Sequence, residues 1–119
     1  MIRSTRPRLY DINQNILVVL DVSKRRTRAH LQNDITLRYT ILHALMIIAE
    51  AVKRLPDQTK APYPEIAWSK IIGLGIMIKH EYHRVDSEIV WDVVVDHLKP
   101  LHEVVKKLLA DLEQPGLPL

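Results

Sequence analysis

Cysteine is absent from these 119 residues, which excludes a disulfide framework and any thiolate metal site. Glycine is scarce, and the three present form no Gly-rich loop able to cradle a phosphate. No Gly-x-Ser-x-Gly elbow occurs, so a serine nucleophile of that type is excluded. Strict apolar/polar alternation is rare, and neither an internal repeat nor a low-complexity segment is visible. The chain opens with no apolar run, which argues against a signal peptide or a spanning helix and makes a cytoplasmic protein the default expectation.

What is present suits one globule. An apolar share of 47% argues against disorder, and the length fits a single domain over residues 1–119 with one modest core. The net charge of +3 is uneven: residues 1–30 hold seven Lys and Arg against two Asp. Within that stretch "SKRRTR" offers Lys24, Arg25, Arg26 and Arg28, which can meet nucleic-acid phosphates or only water.

Apolar residues recur at steps of three and four, the helical period. Residues 8–22 predict a first helix with Leu9, Ile12, Ile16, Leu17 and Leu20 on one face. A basic loop over about 23–33 follows. Asn33 or Asp34 suits the N-cap of a second helix, which carries Ile41, Leu45, Ile48, Val52 and Leu55 and ends at Pro56. Beyond the turn-rich "PDQTKAPYP", Pro64 can open a third helix that buries Trp68, Ile71, Ile72 and Ile78. Asp86 caps a fourth, and Pro100 either kinks it or starts a short fifth. The expected fold is all-α, an up-and-down bundle of four to five helices, with residues 1–7 and 114–119 frayed.

Groups able to move protons collect in "GLGIMIKHEYHRVD", residues 73–86. His80 and His83 are three apart, whereas a zinc-protease helix needs its two His at i and i+4, and Glu-x-x-His does not occur on two helices. No metal or other cofactor is therefore expected, and His97 and His102 read as surface residues. Metal-free RNA cleavage needs less: a base for the 2′-OH, an acid for the leaving oxygen, and a cation for the charged phosphorane. His suits the first two roles and Arg the third. Gly73 and Gly75 interrupt the helical pattern, each at a cost of about 1 kcal/mol relative to Ala. Close packing or the loss of a larger residue would explain them.

Four ordered blocks, "RLYDI", "IIAEAVKRLP" (47–56), "YPEIAWSKIIGL" (63–74) and "HEYHRVDSEIVW" (80–91), together resemble the HepT-like proteins of the HEPN superfamily. The resemblance runs from about residue 8 to 110. It implies a homodimeric helical bundle and a metal-independent endoribonuclease toxin acting on RNA at a groove between protomers. The implied partner is a minimal nucleotidyltransferase antitoxin, which in some systems transfers AMP to a motif Tyr; no membrane is implied. The family's site reads Arg-x-x-x-x-His-x-Tyr. Its His falls on His80 and its Tyr, the AMP acceptor, on Tyr82. Glu50 matches the Glu of a "GEA" block, with Ala49 in place of the Gly.

The motif Arg falls on Gly75, and the Asn that often follows it falls on Ile76. An Arg-Asn pair frequent in the second helix is here His43-Ala44. Positions 75, 79 and 82 share a helical stripe, so Lys79 is the nearest replacement cation, with Arg84 a further phosphate contact. Lysine lacks the bidentate guanidinium fork. Two readings follow: an endoribonuclease toxin, or a catalytically silent binding partner of a nucleotidyltransferase.

Overall fold

A computed structural model describes residues 2–112, and every regular element among them is helical. Five longer helices, α1 (Ile2–Val22), α3 (Ile35–Arg54), α5 (Trp68–Glu81), α6 (Ser87–Asp96) and α7 (Leu98–Leu112), are joined by two short ones, α2 (Arg28–Asn33) and α4 (Asp57–Lys60). α3 is central, packed by α1 on one side and α5 on the other. α7 lies against α1, and α2 bridges α3 and α6.

Local chemistry accounts for most of the boundaries. The Asp34 carboxylate accepts from the Leu37 N–H at 3.1 Å and starts α3. Pro56 stops it, leaving Leu55 extended, and the Val52 carbonyl accepts from both the Leu55 N–H and the Lys60 ammonium, each at 3.2 Å. Asp86 caps α6 by accepting from the Glu88 N–H at 2.8 Å. The bundle separates α6 from α7 at His97, and Pro100 sits in the first turn of α7, where its missing N–H is tolerated.

Four boundaries depart from the sequence expectation. α1 starts at Ile2, so Pro7 lies inside it. Half of the expected basic loop is helix α2, because Leu31 is fully buried and anchors it to the core. The turn-rich connector contains α4. α5 begins at Trp68 rather than Pro64, because the Trp68 indole donates to the Tyr63 carbonyl at 2.9 Å and holds that segment as turns. The tail from residue 113 lies outside the described residues.

Leu, Ile, Val and Ala fill the core. The α3 stripe Ile41, Leu45, Ile48, Val52 and Leu55 is buried throughout, as are Leu98, Leu101 and Val105 of α7. On α1 the buried line is Leu9, Ile12, Ile16 and Val19, and Leu17 stands 49% exposed. Leu17 lies about 100° around the helix from Ile16, too far to share its face. By length and composition α3 could cross a membrane; half of its apolar window is buried inside this bundle.

His102 is half-buried rather than a surface residue, its Nε2 2.9 Å from the Asn13 side-chain oxygen, tying α7 to α1. Burial, reinforced by the nearby Lys106 charge, holds its pKa below the ordinary 6.5. The folded state thus favours the neutral ring, and that contribution is present above the unfolded pKa and lost as pH falls below it. Acidification below about pH 6.5 is expected to lower the melting temperature of the wild type more than that of His102→Gln, as thermal melts across pH 5–8 will measure.

Candidate functional site

Where α5 crosses α3, Gly75 faces the Ala49 methyl. A Cβ built on Gly75 would overlap the Cβ of Ala49 well inside van der Waals contact, with the Ala49 Cα at 3.7 Å. Gly75 is therefore a close-packing glycine, and its missing side chain is a condition of this helix crossing. Gly73, two residues earlier, is the opposite case: a Cβ there would meet nothing within 4 Å.

Beside the crossing lies an open groove of about 310 Å³ between α1, α3 and α5. Met46, Ile47, Ile72 and Ile76 form its apolar part. Its charges are Arg8 and Asp11 from α1, Glu50 and Lys53 from α3, and Lys79 from α5. Lys79 thus lines the same groove as Gly75, as the helical stripe predicts. The Arg54 guanidinium, 3.0 Å from the Glu50 carboxylate, holds the Glu50 carboxyl below the usual range, and the Lys79 charge acts in the same direction. Glu50 is thereby kept as a carboxylate directed to its own helix neighbour. Arg8, Asp11 and Lys53 escaped the sequence reading. Spacing along one helix carries no information about which residues of three helices converge.

The other expected site residues do not gather there. His80 is exposed and outside the groove lining. At 100° per residue it lies about 140° around α5 from Gly75, nearly opposite the buried Ile71, Leu74 and Ile78. Tyr82 is the C-cap of α5, half-buried against the core. Its ring lies 5.7 Å from that of Tyr39 and the same distance from that of His83. Among the described residues no group of three or more His, Asp or Glu could hold a metal ion.

Arg84 belongs to a second, polar cleft, with Arg28, Gln32, Arg38, His83 and Glu88. The cleft is held by Arg38, which donates to the Ser87 hydroxyl at 2.6 Å and to the Val85 carbonyl at 2.8 Å. The basic segment is partly neutralised by its surroundings. Lys24 pairs with Asp21 at 3.8 Å, Arg26 with Asp34 at 4.0 Å and Arg28 with Glu88 at 3.4 Å. All three pairs are solvent-exposed and weak. Arg25 takes a left-handed backbone, φ 58°, that turns the chain into α2.

The chain is similar to proteins named for ribonuclease activity. "Probable ribonuclease HepT" of Thermococcus cleftensis is 28% identical over 91% of this chain and 98% of its own. "Putative RNase MJ0127" of Methanocaldococcus jannaschii is 27% identical over 93% and 92%. "Putative RNase TTE0752" of Caldanaerobacter subterraneus subsp. tengcongensis is 28% identical over 90% and 96%. No solved structure matches the chain. The family described as "Ribonuclease HepT-like" matches residues 12–108, most of the chain, with the groove residues of α3 and α5 inside the match and Arg8 and Asp11 of α1 just before it, so the protein belongs to the HepT-like ribonuclease family.

Proposed function

We propose that this protein is a metal-independent endoribonuclease that works as a homodimer, restrained by a nucleotidyltransferase antitoxin that adds AMP to Tyr82. The observation that carries this reading is the direction of His80. It stands on the solvent side of α5, beyond the flank on which the cationic groove opens, so a single protomer leaves proton carrier and cations apart. A second copy packed on that face brings the two His80 rings and the two grooves to one seam. One His80 then removes the 2′-OH proton, the 2′-oxygen attacks phosphorus, and the other His80 protonates the departing 5′-oxygen.

The same face supports self-association. Ile76 is 49% exposed and Gly73 has open space over it, so another backbone can approach closely. Gly73→Ala is expected to stabilise the isolated fold by up to about 1 kcal/mol through helix propensity. It is also expected to shift the dimer toward monomer, which sedimentation at several concentrations will read.

A second reading is favoured by the Ala49–Gly75 contact: a silent protein that only binds the nucleotidyltransferase. Incubation of RNA with purified protein in EDTA separates the two. Wild type is expected to cleave, and His80→Ala to slow cleavage by about 10²–10⁴-fold. An inert wild type that still binds a nucleotidyltransferase encoded beside it establishes the silent role instead.

A further inference from the structure

The groove contains three cations from three helices. Arg8, Lys53 and Lys79 line it from α1, α3 and α5, and none takes part in a salt bridge among the described residues. Two carboxylates share the lining: Glu50 is bonded to Arg54, with the Lys79 and Lys53 charges also acting on it, and Asp11 forms no salt bridge with the three cations among the described residues. Arg8 is half-buried and carries the only guanidinium among the described residues of the lining. Beside these charges, Met46, Ile47, Ile72 and Ile76 make an apolar strip. Cations next to an apolar strip suit a phosphodiester together with the face of its base.

We propose that Arg8, Lys53 and Lys79 form the phosphate-binding triad of this protein for single-stranded RNA. Arg8 supplies from α1 the guanidinium that position 75 cannot carry. Its fork takes two oxygens of one phosphodiester, the two ammonium groups act as point charges around it, and the base lies along Met46 and Ile76. The proposal rests on the RNA-cleaving reading and adds to it the residues that hold the strand. It also gives Gly75 a second consequence, because a side chain there would project beside the space the phosphate occupies.

A fluorescent 2′-O-methyl oligoribonucleotide tests this, since the blocked 2′-oxygen prevents cleavage and leaves binding alone to be read by anisotropy. Arg8→Gln, Lys53→Gln and Lys79→Gln are each expected to weaken binding about tenfold at low salt and to reduce the salt slope by about 0.7. Arg8→Lys should recover only part of the loss, because charge returns without the fork. Lys99→Gln and Lys106→Gln, on α7 outside the groove, should bind as wild type does. Unchanged melting temperatures exclude unfolding as the cause.

Equal binding by wild type and the three groove variants overturns the proposal, as does a wild type that binds no oligonucleotide. Outcomes for the nuclease reading separate cleanly. RNA cleavage that is indifferent to Arg8→Gln leaves that reading standing and removes the triad. Groove-dependent binding without cleavage keeps the triad and removes the nuclease.

Discussion

Gly75→Arg alone is expected to destabilise the protein by about 1–3 kcal/mol, the usual range for forcing extra atoms into a packed contact. The obstacle is the Cβ, not the guanidinium: any side chain at 75 meets the Ala49 Cβ, which cannot rotate away. Removing that Cβ leaves the Ala49 Cα at 3.7 Å, an ordinary contact. Ala49→Gly combined with Gly75→Arg is therefore expected to recover most of the loss. A double-mutant cycle by urea unfolding should give a favourable coupling of about 1–2 kcal/mol. If the two substitutions add without coupling, the contact is not what keeps position 75 small. The resemblance set out above has Gly and Arg at these positions where this chain has Ala and Gly, so one crossing point is filled in two ways. RNA cleavage gained only by the double variant would identify a decayed nuclease site.

Arg38→Met is expected to lower stability by about 2 kcal/mol. Its guanidinium spans from α3 to the segment between α5 and α6 and to the first residue of α6, donating to the Val85 carbonyl and the Ser87 hydroxyl. Hydrogen bonds from a charged donor contribute about 1.5–3 kcal/mol, and the Val85 carbonyl loses its donor when the guanidinium is removed. Arg38→Lys should recover part of this, since one ammonium does not span both acceptors. The urea midpoint should fall with an unchanged slope, and amide exchange should quicken over residues 82–87 before the rest of the chain. Uniform quickening along the chain would show instead that Arg38 acts only through global stability. Because Tyr82 and His83 sit in that segment, the same variant is expected to disturb the end of α5 that carries His80.

The helices were legible where a local rule set them. Asp34, Pro56 and Asp86 mark boundaries through hydrogen bonds or steric blocks that reach only a few residues, and the α3 stripe follows from helical period alone. Legibility failed where a contact distant in sequence decided the outcome. Leu31 turns a basic loop into α2 by reaching the core, and the Trp68 indole delays the start of α5. Of the candidate site, the motif marked His80 and Tyr82, and helical period put Lys79 on the flank of α5 that carries Gly75; both residues line one groove. Neither separated His80 from the groove, since that depends on which face of α5 is buried.

By itself, then, the sequence determined an all-α bundle, its principal caps and its family, because helical period, capping and ordered motifs are properties of neighbouring residues. Only the tertiary structure decided that Gly75 is held small by Ala49 and that Arg8 shares a groove with Lys53 and Lys79. Both are consequences of how three helices cross, and a crossing is chosen by the packing of side chains 26 to 71 positions apart along the chain.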